Sequence, residues 1–104
     1  MHIGNPLVRP DCEMGYQACL NASNKPVTEG SIGAGTGATV GKYYGISNCM
    51  KGGIGSAIIK IADLIVGALA VVNSFGDILN PETSEIIAGT LDNEKKSLLI
   101  QIGC

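Results

Sequence analysis

Nine consecutive apolar residues, LIVGALAVV at Leu64–Val72, constrain the fold more than any other stretch of this chain. A half-buried strand alternates apolar and polar residues, whereas an unbroken run belongs to a strand covered on both faces or to a buried helix. Gly67 and the β-branched Ile65, Val66, Val71 and Val72 disfavour the helix. A membrane span needs about twenty such residues, and Lys60 and Asp63 interrupt the apolar sequence before the run. The segment is therefore expected to be a central strand, Leu64 to Asn73. A second strand is expected just before it at Ile54 to Ile61, with Ala62-Asp63 as the turn.

The remaining elements must supply the covering layers. Met1 to Arg9 reads as extended. Pro10 opens a helix expected to run to about Ser23: Asp11 and Glu13 suit the positive end of its dipole, and Cys12, Tyr16, Cys19 and Leu20 recur on one face that should pack on a sheet. Lys25-Pro26 bars its continuation. Phe75 to Leu79 and Glu85 to Gly89, joined by Asn80-Pro81-Glu82-Thr83, read as a hairpin. Asn93 to Lys96 is a solvated connector, and Leu98 to Ile102 could add a short strand. The expected fold class is α+β, a helix packed on a mostly antiparallel sheet, with residues 1–104 as a single domain.

Between Glu29 and Ser56 lie Gly30, Gly33, Gly35, Gly37, Gly41, Gly45, Gly52, Gly53 and Gly55, nine of the 15 glycines. A phosphate cradle would explain such density, but the spacing fails. Gly37 to Gly41 leaves three intervening residues where a Walker loop needs four, and Tyr43 stands where Ser or Thr is required after Lys42. Gly33, Gly35 and Gly37 alternate without the two-residue gap of a dinucleotide fingerprint. Close packing of backbone is the reading left.

The chain has 104 residues, 45% of them hydrophobic, and a net charge of −2 with a pI near 5.2, so no basic footprint for nucleic acid exists. Four aromatic residues and no tryptophan leave a small aliphatic core. Cys12, Cys19, Cys49 and Cys104 lack metal-ligand spacing, and His2 is the single histidine, so no metal or other cofactor is implied. Cys12 and Cys19 read as small buried apolar residues. No secretory leader or membrane span is visible, and the expected compartment is the cytoplasm.

Four segments in order, RPDCEMGYQACLNAS, PVTEGSIGAGTGATVGK, MKGGIGSA and VGALAVVNSFGDILNPETSEIIAG, resemble the DmpA-type aminopeptidases over about Arg9 to Thr90. That family includes L-aminopeptidase/D-amidase/D-esterases and β-peptidyl aminopeptidases. The resemblance implies a fragment of an αββα sandwich, and a precursor that cuts itself to expose an N-terminal Ser or Thr as nucleophile. This sequence is similar to the later part of the first chain, so the nucleophile is expected beyond Cys104 and the 104 residues alone are expected to be inactive. The complete enzyme is expected to release N-terminal residues from peptides, amides or esters. The expected partners are the missing segments or second chain, further copies of this chain in a homo-oligomer, and a peptide or amide substrate, without nucleic acid or membrane.

By the same resemblance, Asn73, in VGALAVVN, is the residue whose side-chain amide donates towards the scissile carbonyl oxygen. A neutral amide held at a strand end suits that task. Read from the residues alone, it equally begins the turn at Ser74-Phe75-Gly76. Gly33, Gly35 and Gly37 are candidates to line the substrate cleft with backbone amides. Tyr43 and Tyr44 could flank a pocket, and Lys42 and Lys51 could anchor a substrate carboxylate, although solvated lysine is the default. A processing junction at Gly103-Cys104 is the weakest of these candidates. The rival class is a non-catalytic, oligomerising β module from a truncated reading frame. A glycine-loop nucleotide binder is the third reading.

Overall fold

The computed structural model describes residues 4–94 and Leu98. The described residues form one helix, α1 (Cys12–Leu20), and six strands: β1 (Thr39–Val40), β2 (Met50–Lys51), β3 (Gly53–Ile61), β4 (Leu64–Val72), β5 (Ile78–Leu79) and β6 (Ile86–Ala88). The strands pair as three two-stranded antiparallel sheets, β1 with β2, β3 with β4 and β5 with β6. An α+β composition with antiparallel sheets is what the sequence led us to expect.

The β3–β4 hairpin dominates. Its nine pairs run in continuous register from Gly53 opposite Val72 to Ile61 opposite Leu64, with Ala62-Asp63 as the turn. Register decides which side chains share a face. Ala57, Ile59, Ile61, Leu64, Val66, Ala68 and Ala70 lie on one face, which carries no polar residue. The other face carries Ile58, Ile65, Leu69 and Val71 together with Ser56 and Lys60. The expectation that β4 is covered on both faces is not met within these residues. The adjacent Ile58 and Ile59, which point to opposite faces, are 74% and 63% exposed.

A second correction concerns α1. Its start is as expected, with the Asp11 Oδ1 accepting from the Met14 amide at 2.8 Å, and it ends three residues early, at Leu20. No residue of the helix is buried, so it packs on no sheet here, and Cys12 and Cys19 are exposed rather than buried. A third is local: instead of an extended start, Asn5 to Val8 form a turn, with the Val8 amide donating to the Asn5 carbonyl at 3.2 Å. Beyond Leu98, which forms an isolated bridge with Leu91, the expected strand to Ile102 lies outside the described residues.

The core is small and sits elsewhere, where the middle of the glycine-rich stretch meets residues 89–90. Ala38, Thr39, Val40, Gly41, Asn48, Gly89 and Thr90 are buried. Glycine is what allows it. A Cβ on Gly41, whose φ is +69°, would overlap the Gly89–Thr90 backbone, so two chain segments touch there without side chains between them. Polar groups in this core are paired: the Asp77 Oδ1 accepts from the Thr90 amide at 2.9 Å, and the Asn48 side-chain amide donates to the Leu91 carbonyl at 3.0 Å. The β5–β6 hairpin, joined by the Asn80–Thr83 turn, closes over it, and the Asn80 Oδ1 accepts from the Glu82 amide.

Candidate functional site

Asn73 is the first residue after β4, where the ladder to β3 ends. Its surroundings come from β1 and the residues that follow it. The Gly41 amide donates to the Gly76 carbonyl at 3.0 Å and the Lys42 amide to the Phe75 carbonyl at 2.7 Å, which lays residues 39–42 alongside 73–76. Two donors then converge on the Asn73 side chain. The Thr39 amide reaches Oδ1 at 3.2 Å, and the Lys42 ammonium reaches the same oxygen at 2.6 Å.

Both partners can only donate, so the atom they meet must be the carbonyl oxygen of the carboxamide. That fixes the other end. The Nδ2 donor faces away from Thr39 and Lys42, on an exposed residue. The turn-forming reading of Asn73 fits less well, because its side-chain bonds run to residues 31 and 34 positions earlier. The following turn is closed instead by the Ser74 hydroxyl, which donates to the Gly76 carbonyl at 2.8 Å.

Three exposed aromatic rings stand beside this strand end. Tyr43 meets Tyr44 edge-to-face at 5.1 Å between centroids and Phe75 at 6.3 Å. Lys42 is thus neither solvated by default nor placed by itself as a substrate anchor, since its ammonium is already engaged with Asn73. Sequence reasoning named both residues but did not join them. No local pattern links positions 31 residues apart.

The three cleft candidates part company. Gly33 is left-handed (φ +52°) and Gly37 is not, and a side chain at either would meet open space. Gly35 is packed: a Cβ there would lie 2.5 Å from the Ile54 nitrogen and 2.6 Å from the Gly30 oxygen. An open apolar groove of about 310 Å³ runs past Gly30, Val40, Gly52, Gly53, Ile54 and Val72, and none of Gly33, Gly35 and Gly37 lines it. Its wall reaches Val72, the neighbour of Asn73. Lys51 also lines this groove.

One further polar cluster was not anticipated. The Glu29 carboxylate accepts from both the Ser56 amide (2.7 Å) and the Ser56 hydroxyl (2.8 Å), and these bonds hold its pKa below the ordinary 4.5. They clamp the glycine-rich segment to β3, where Gly30 and Ile54 also exchange backbone hydrogen bonds. Among the described residues no group of three or more His, Cys, Asp or Glu could hold a metal ion. Among them also, no helix is long and apolar enough to cross a membrane. His2, Gly103 and Cys104 lie outside the described residues.

Asn73 thus presents a strand-end amide with its oxygen tied back, next to Val72 on the wall of a glycine-lined groove. Residues 7–100 match peptidase family S58, and the chain belongs to that family, the DmpA family of aminopeptidases. It is 35% identical over 91 residues to an uncharacterized aminopeptidase of Mycobacterium leprae, which covers 80% of this chain and 23% of that protein. It is also 37% identical over 82 residues to uncharacterized aminopeptidases of Mycobacterium bovis and Mycobacterium tuberculosis, covering 78% of this chain and 22% of each. The chain therefore spans less than a quarter of the length of the curated relatives it matches. No solved structure matches it.

Proposed function

We propose that this chain supplies the oxyanion-donor segment of a self-processing aminopeptidase that releases N-terminal residues from peptides, amides or esters. In this reading the β3–β4 hairpin belongs to the central sheets of an αββα sandwich, and the attacking Ser or Thr, first in its own chain, comes from a segment outside these 104 residues. As the nucleophile adds to the scissile carbonyl, its oxygen gains charge, and Asn73 Nδ2 donates to it.

The single observation that supports the assignment is the anchoring of the Asn73 oxygen by the Lys42 ammonium and the Thr39 amide. A donor that is already oriented needs no reorganisation when charge develops, and one such donor contributes roughly 3 kcal/mol to lowering a barrier.

The anchoring also dictates the experiment. Thr39 is 3% exposed, so removing the whole side chain as Asn73→Ala would strand a buried amide at a cost of about 1–3 kcal/mol in stability. Asn73→Asp is cleaner. It keeps an oxygen for both donors and replaces the N–H donor by a second, acceptor-only carboxylate oxygen, whose negative charge opposes an oxyanion. In a complete enzyme of the family carrying this segment, Asn73→Asp is expected to lower turnover by about a hundredfold or more, with the melting temperature retained and KM little changed. An Asn73→Asp enzyme of undiminished turnover would end the assignment.

The bare faces of the hairpin favour a second reading, a non-catalytic β module that functions by association. Under that reading Asn73→Asp changes nothing in any complete relative.

A further inference from the structure

We infer that Lys42 is a positioning residue for the proposed hydrolysis, acting through Asn73 and not on substrate. The inference rests on the assignment of Asn73 as oxyanion donor. The Lys42 ammonium lies 2.6 Å from Asn73 Oδ1, a short charge-assisted contact, and its own backbone is held by the Phe75 carbonyl at 2.7 Å. The lysine thus comes from a segment tied by its backbone to the residues that follow the same strand end. It is not a loose surface cation that happens to reach the amide.

Two consequences follow for the carboxamide. First, its rotation is restricted. The Thr39 amide alone, at 3.2 Å, leaves the group free to swivel about one long hydrogen bond. A second donor on the same oxygen fixes the direction of Nδ2–H. Second, a cation on the carbonyl oxygen draws electron density from the nitrogen, and hydrogen bonds in such a chain polarise one another. The N–H becomes a stronger donor toward developing negative charge. Both effects act where the oxyanion forms, and neither requires Lys42 to meet the substrate. Asn73 by itself would present a neutral amide of ordinary strength, and the lysine converts it into a directed, polarised donor.

The test is a double-mutant cycle in a complete family enzyme carrying this segment, using aminoacyl p-nitroanilides. Lys42→Met, which keeps the aliphatic stem, is expected to lower kcat by about tenfold, a part of the ~hundredfold carried by the donor, with KM nearly unchanged. Lys42→Arg, which keeps a cationic donor, is expected to recover most of the loss. In an Asn73→Ala background Lys42→Met is expected to cost nothing further, because the group it acts through is gone.

A Lys42→Met enzyme with full kcat, beside an impaired Asn73→Asp enzyme, overturns the role of Lys42 and leaves the donor assignment standing. A rise in KM that persists in the Asn73→Ala background also overturns it and makes Lys42 a substrate contact. Full activity of Asn73→Asp overturns both. Melting temperatures of all variants identify any loss of activity that comes from unfolding.

Discussion

At the scale of single residues, the glycine-rich stretch is not one device but several. Gly41 is irreplaceable on two counts: its φ of +69° is one that L side chains rarely adopt, and a Cβ would overlap the backbone of Gly89 and Thr90. Gly41→Ala is expected to destabilise the fold by about 3 kcal/mol or more, since neither backbone can move without opening the buried cluster around Val40 and Thr90. Gly37 is the control. Its φ is not left-handed and nothing lies within 4 Å of where its Cβ would be, so Gly37→Ala is expected to change stability by no more than about 0.5–1 kcal/mol, in the stabilising direction. Denaturant melts of the two variants separate a required glycine from a tolerated one. Equal effects would show that the density of glycine, and not particular contacts, is what the stretch supplies.

At the scale of elements, the clamp between Glu29 and Ser56 ties the glycine-rich segment to β3, and it predicts a pH dependence with a definite sign. The hydrogen bonds from the Ser56 hydroxyl and amide favour the ionised carboxylate, so the folded-state pKa lies below the ordinary 4.5. The clamp's contribution is therefore complete above that ordinary value and is lost as pH falls through the lower, folded-state one. The melting temperature of Glu29→Gln should fall less than that of the unaltered chain between about pH 6 and about pH 3. Parallel curves would show that the clamp adds nothing. The elements themselves were largely legible in the sequence: apolar runs gave β3 and β4 to within one residue at either end, and Asn80-Pro81 gave the turn of the β5–β6 hairpin. Two-residue strands such as β1 and β2 carry no period to read, so the sheet that presents Thr39 was missed. The role proposed for Asn73 came from family resemblance, and its bond to Lys42 joins segments that only the tertiary fold brings together.

At the scale of the whole molecule, the 104 residues expose far more than a self-sufficient domain does. The accessible surface is 8292 Å², against about 5,500 Å² for a compact protein of this mass. The radius of gyration is 16.7 Å, against roughly 13 Å for a compact domain of about this length. The hairpin contributes to this excess: its two nine-residue strands offer about 300 Å² of projected area on each face. Each face thus approaches the largest apolar patch of a typical monomer, about 300–600 Å². Within a chain of the relatives' length, other layers of the fold can cover both. The 104-residue chain studied alone has only its own copies, and we expect it to form a homo-oligomer through the face of Ile59, Ile61, Leu64 and Val66, where register places no polar side chain. The opposite face, broken by Ser56 and Lys60, should matter less. Light scattering at micromolar concentration should show an assembly larger than one chain. Val66→Glu should shift it toward monomer more than Leu69→Glu does, because a carboxylate buried in an all-apolar contact has no partner, whereas one at position 69 stands opposite the Ser56 hydroxyl. A stable monomer of the unaltered chain, or equal effects of the two charges, would remove the apolar face as the site of association.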